Sequence, residues 1–109
     1  MQWREIENLK KQLEGKKTAG NSGYYQIRQE SEGVCQLAFS KTGPCGESVY
    51  QPLIKVRREA DAAIPYYLLD LEAQPIQHLQ RTSTDDAAAL DQALGLLVAQ
   101  FYQDLAISR

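Results

Sequence analysis

Leu90, Leu94, Leu97, Val98, Phe101 and Leu105 recur at intervals of three and four residues near the end of the chain. That spacing places them along one side of a helix of roughly 20 residues. Ala89, Ala93 and Leu96 widen the apolar side. Thr82-Ser83-Thr84 offers a hydroxyl for the N-cap, and Asp85-Asp86 suits the positive end of the helix dipole. So long an apolar stripe is stable in water only when it lies on another apolar layer. The rest of the chain must therefore supply that layer.

The middle of the chain reads as strands. In Tyr24 to Gln29, Tyr25 and Ile27 face one way, Gln26 and Arg28 the other. Glu30-Ser31-Glu32-Gly33 reads as a tight turn, and in Val34 to Ser40 the residues Cys35, Leu37 and Phe39 share a face opposite Gln36 and Ala38. Lys41 to Gly46 holds two glycines and a proline and reads as a loop. Val49 to Arg58 is the third strand, with Ile54 and Val56 inward, Lys55 and Arg57 outward, and Pro52 implying an edge or a bulge. Glu59 to Ala63 reads as a connection. Pro65 to Glu72 is the fourth strand, with Tyr67, Leu69 and Leu71 set against Tyr66, Leu68 and Asp70. Its first half is apolar on both sides, which places it inside the sheet. Ala73 to Arg81 reads as irregular, because Pro75 breaks any pattern.

Ahead of the strands, Trp3, Ile6, Leu9 and Leu13 share one helical face, ended by Gly15 and the Thr18–Gly23 run. The expected fold is α+β: an N-terminal helix, a four-stranded antiparallel meander, and a long C-terminal helix packed on one sheet face. With 109 residues, 43% of them apolar and 24% charged, residues 1–109 are expected to form one domain. MQWREIENLKK lacks the apolar centre of a secretory signal, and no apolar run approaches the ~18–20 residues of a membrane span. Two cysteines are too few for a disulfide framework, so a reducing, cytoplasmic setting is the expectation.

Residues with chemistry are few and scattered. His78 is the one histidine, and a metal site needs three or four ligands. Cys35 reads as a small core residue. Cys45, in Gly-Pro-Cys-Gly, reads as an exposed thiol whose nearest cation in sequence is Lys41, and it is the candidate reactive group. Asp70 and Glu72, two apart on a strand, share a face. Neither a nucleophile-elbow serine nor a phosphate-binding glycine pattern is present. No cofactor and no enzymatic activity are expected.

The net charge of -2 gives the chain no overall field toward nucleic acid, yet its charge is unevenly placed. The first 17 residues carry five cations against three glutamates, whereas Ser83 to Ser108 carries four aspartates and no lysine or arginine. The element order is similar in part to that of double-stranded RNA-binding domains. Those domains meet phosphate with lysines where this chain has Asp85-Asp86, and the fourth strand is extra. Arg28, Lys55, Arg57 and Arg58 are the residues a nucleic-acid role would use.

Tyrosine outnumbers phenylalanine six to two. Its large apolar ring and polar tip suit surfaces that are only sometimes covered. Tyr24 and Tyr66, with Gln26, Arg28, Gln36, Lys55 and Arg57, are expected on the sheet face that the last helix leaves bare. The main functional expectation is a small noncatalytic module of the regulator, adaptor or neutralising kind. It would bind a partner protein, or a second copy as a homodimer, through that face or through Leu96 on the last helix. Association with nucleic acid, and a small-ligand or thiol-based activity at the Gly-Pro-Cys-Gly loop, are the two alternatives.

Overall fold

The computed structural model describes residues 1–73 and 75–107. Helix α1 (Trp3–Leu13) is followed by six strands and helix α2 (Thr84–Asp104). The strands are β1 (Thr18–Ala19), β2 (Tyr24–Ser31), β3 (Val34–Thr42), β4 (Ser48–Glu59), β5 (Ala62–Asp70) and β6 (Gln77–Gln80). They form one antiparallel sheet in the order β1-β2-β3-β4-β5-β6, so the fold is α+β with a helix at each end of a meander.

The sheet has six strands rather than the expected four. β1 falls in the Thr18–Gly23 run that the sequence marks only as a turn, and it pairs just Thr18 with Tyr25 and Ala19 with Tyr24. β6 falls in the segment expected to be irregular. Gln77 to Gln80 contains one apolar residue, too little for a periodic signal, yet it satisfies the backbone of Tyr67 to Asp70, whose donors and acceptors would otherwise lie open at an edge. Gln74, inside that segment, and Ser108, which closes the cation-free run, lie outside the described residues.

Two bulges set which side chains share a face. Ala38 pairs with Leu53 but Ser40 pairs with Tyr50, so β4 carries an extra residue opposite Phe39. Pro52 sits there, in an interior strand, where the disturbed ladder does not require its missing N–H. Lys55 pairs with Tyr67 but Val56 pairs with Pro65, which makes Tyr66 the extra residue of β5. That bulge re-phases the strand. Ala63, Pro65 and Leu68 are buried toward the helices, and Tyr67 and Leu69 turn to the other face, the reverse of the simple alternation. β5 also starts at Ala62 after a tight turn at Ala60-Asp61, so Glu59 and Ala62 belong to strands rather than to a connection. As expected, β5 is interior. The strand ends at Asp70, whose Oδ1 accepts the N–H groups of Glu72 and Ala73 at 3.0 and 3.2 Å. Asp70 and Glu72 therefore form a turn, not a pair on one strand face.

Both helices cover the same side of the sheet. Trp3, Ile6, Leu9 and Leu13 of α1 and Leu90, Leu94, Leu97, Val98, Phe101 and Tyr102 of α2 share one core with Tyr25, Ile27, Cys35, Leu37, Phe39, Ile54, Val56, Ala63 and Leu68. The Tyr25 ring stands edge-on to Phe101 with centroids 4.9 Å apart and lies 5.0 Å from Phe39. Its hydroxyl donates to Asp104 Oδ2 at 2.6 Å, and Asp104 also accepts the N–H groups of Asn21 and Ser22. The end of α2 is thus tied to the β1–β2 turn. The Tyr102 hydroxyl donates to the Glu5 carbonyl and accepts from Asn8 Nδ2, which joins α2 to α1. Ser83 caps α2, its Oγ accepting the Asp86 N–H at 3.1 Å. α1 ends where Glu14 and Gly15 adopt left-handed backbone at φ 53° and 73°.

Candidate protein-binding face

Among the described residues, no helix lies on the second face of the sheet. Strand register lays its side chains out in rows across β2 to β6, a width of about 19 Å for four gaps of ~4.8 Å. One row runs Arg28, Gln36, Lys55, Tyr67, Gln80. The next runs Gln26, Ala38, Leu53, Leu69, His78. Tyr24, Ser40 and Tyr50 form a third row at one end, and Val34, Arg57 and Ile64 a fourth at the other. Tyr24, Gln26, Arg28, Gln36, Lys55 and Arg57 therefore share one face, as the alternation implies. Tyr66 reaches it through the bulge and lies under the Arg57 guanidinium, whose carbon is 5.7 Å from the ring centre.

Cations and rings are interleaved here. Lys55 Nζ lies 5.4 Å over the Tyr67 ring and 3.8 Å from Glu30 Oε1. Arg57 Nε lies 3.1 Å from Glu59 Oε1. Each cation is held between a π-face and a carboxylate, which neutralises it and restricts its rotamers. Lys17 lies 5.0 Å over Tyr24. Arg28 is exposed and has no ion pair among the described residues. Beneath these long side chains, Ala38 and Leu53 are only 5% and 7% exposed although no helix covers them.

Sequence reasoning missed Tyr67, Leu53, Leu69, Glu30, Glu59 and His78. The bulge at Tyr66 hid the first and third, and the unseen strand β6 hid the last. His78 is on that edge strand, not in a loop, with its ring edge-on to Tyr67 at 5.0 Å between centroids. Arg58 does not join Arg28, Lys55 and Arg57. It pairs with Ala63 on the helix-covered side, where its side chain bonds the Ala60 carbonyl and lies 3.8 Å from Asp61.

Cys45 is exposed at the tip of the β3–β4 loop, and its N–H donates to Glu47 Oε2 at 2.9 Å. The charged side chain that organises this loop is therefore Glu47 rather than Lys41. Cys35 is buried on β3, and burial pushes its thiol up. Thr42, the last residue of β3, is seven positions beyond Cys35, about 23 Å at ~3.3 Å per residue, and the loop holding Cys45 lies further still. A disulfide needs its Cα atoms within about 7 Å, so the two thiols cannot pair in this fold.

Elsewhere, an open groove of about 1150 Å³ lies between the start of α1 and the β4–β5 turn. Among its lining residues, Tyr102 bonds both Asn8 and the Glu5 carbonyl. Among the described residues no group of three His, Cys, Asp or Glu is placed to hold a metal ion. No buried side-chain polar atom lacks a partner among them. No described helix is long and apolar enough to cross a membrane. Compared with known proteins, the chain matches no family model, no curated protein and no solved structure.

Proposed function

We propose that this chain is a small noncatalytic interaction module that binds a partner protein through the helix-free face of its sheet. The observation that supports this reading most is the row Arg28–Gln36–Lys55–Tyr67, which lies beside Tyr66, Arg57 and the half-buried Leu69. Tyrosines and an arginine beside a partly exposed leucine are the composition of interface centres. Lys55 and Arg57 are already held in place, so docking costs them little further side-chain entropy. The nucleic-acid alternative is less well supported, since Glu30 and Glu59 neutralise two of its cations and Arg58 points away. The thiol alternative rests on Cys45 alone.

The test is affinity purification of the tagged chain from the organism that makes it, followed by sizing of the complex. A protein at fixed stoichiometry that is lost with Arg28→Glu or Tyr67→Ala, but kept with Lys11→Gln on the exposed side of α1, supports the reading. A partner indifferent to the sheet-face variants overturns it. Nucleic acid in the eluate, with retention that falls steeply as salt rises, favours the alternative.

A further inference from the structure

A second surface also lacks a partner inside the molecule. Asp85, Gln92, Leu96 and Gln103 are all exposed on α2. They are separated by seven, four and seven positions, so at ~100° per residue they fall on one line pointing away from the core. Leu96 is 66% exposed at the middle of that line. Beside it, a Cβ built on Gly95 would meet nothing within 4 Å, so another layer can approach the helix closely there. Asp85 has no ion pair among the described residues, and α2 contains no lysine or arginine.

The two open surfaces lie on opposite sides of the molecule and are complementary in sign. One is a helix with an exposed leucine and an unpaired aspartate. The other is a sheet with half-buried tyrosines and an unpaired arginine. Their spacings also agree. Asp85 is eleven positions from Leu96, about 16 Å along the axis at ~1.5 Å per residue. Arg28 is three strands from Tyr67, about 14 Å at ~4.8 Å per strand. A helix laid across the strands from β5 toward β2 brings Leu96 onto Tyr67 and Leu69 while Asp85 reaches Arg28. Within one chain the sheet already accepts α2 on its other face, so this layering suits both elements.

We propose that the occupant of the helix-free face is the outward side of α2 from a second copy of this chain. The inference rests on the reading of that face as a protein-binding surface. Because the two surfaces differ, the contact is heterologous, and each added copy leaves one surface of each kind unused. Association is then stepwise and does not stop at a dimer.

Sedimentation equilibrium of the full chain from micromolar to millimolar concentration tests this. The weight-average mass should rise continuously with concentration, and less steeply at high salt, where the Asp85–Arg28 attraction is screened. Leu96→Lys disables the helix surface and Arg28→Glu the sheet surface; each protein alone should stay at the monomer mass. An equimolar mixture should form a dimer and stop there, since the only intact sheet surface and the only intact helix surface have been used. Circular dichroism checks that both exposed substitutions leave the fold intact. A wild-type mass fixed at monomer, a dimer that does not grow, or a mixture that stays monomeric overturns the inference. The copurification experiment still reads the wider proposal independently, because another protein can occupy the same face.

Discussion

Phe101 and Leu96 lie on the same helix, five positions apart, and should respond to truncation very unequally. Phe101 is fully buried, edge-on to Tyr25 and within the shared core of both helices and the sheet. Phe101→Ala removes the ring, leaves a cavity that close-packed neighbours only partly fill, and deletes the aromatic contact. The expected loss is about 4 kcal/mol. At m of ~1–2 kcal/mol/M this is a fall of about 2–4 M in the urea midpoint, or at least about 15 °C in melting temperature. Leu96 is 66% exposed, and Leu96→Ala should change stability by no more than about 0.5 kcal/mol. Urea unfolding at low micromolar concentration, where self-association is negligible, measures both. Should Phe101→Ala leave too little native protein, Phe101→Leu gives a smaller loss of about 1–1.5 kcal/mol in the same direction. The reasoning fails if Leu96→Ala costs as much as Phe101→Ala, because α2 would then be packed on both sides.

Asp104 is held below the usual carboxylate range, first by the Tyr25 hydroxyl bond and then by the Asn21 and Ser22 N–H groups. A carboxylate depressed in the folded state contributes stability that is present above its unfolded value of 3.8 and is lost as the pH falls through its folded value. Asp104→Asn should therefore flatten the acid limb of stability against pH, read by urea unfolding at a series of pH values. On the alkaline side, burial and then the Asp104 bond raise the Tyr25 phenol, so Tyr25→Phe should remove a late phase from the ultraviolet tyrosine titration. Ellman's reagent should react with Cys45 in the native protein and with Cys35 only after denaturation, and rapid modification of both thiols would contradict the burial of Cys35. Gly95→Ala meets open space in mid-helix and should stabilise the monomer by about 0.5–1 kcal/mol, measured by thermal unfolding.

Where residue types repeat with a clear period, the structure agrees with them. Both helices, the hairpin of β2 and β3, the inward set Tyr25, Ile27, Cys35, Leu37, Phe39, Ile54 and Val56, and six of the seven candidate face residues follow from alternation alone. Bulges and edges were not legible. A bulge is a single extra residue set by the partner strand's ladder, so nothing local to Pro65-Tyr66-Tyr67 announces that the phase changes there. Edge strands β1 and β6 carry almost no apolar residues; they exist because the neighbouring strands leave backbone groups to satisfy. The Asp104 clamp on Tyr25 joins residues 79 positions apart and has no sequence signal.

The side chains of the helix-free face hold one another in a way that a merely solvated face does not require. A solvated sheet face needs only dispersed polar groups, each free to move. Here Lys55 lies between Tyr67 and Glu30, and Arg57 between Tyr66 and Glu59, so four of the longest side chains on the face are fixed against two others. Fixing exposed cations this way gains little stability, because such pairs are worth well under about 1 kcal/mol in water. It does leave the Tyr66 and Tyr67 rings with part of their ordering cost already met. Arg28, at the end of the same row, has no carboxylate partner among the described residues. A partner that brings one there gains a charge pair without displacing another, whereas a partner that approaches Lys55 must compete with Glu30. Replacing Glu30 with Gln should therefore extend the face's attraction for acid toward its centre, and partner binding should become less dependent on Arg28. Dissociation constants of Arg28→Glu and of the Arg28→Glu, Glu30→Gln double variant measure this, and an unchanged penalty for Arg28→Glu would show that the two positions act independently.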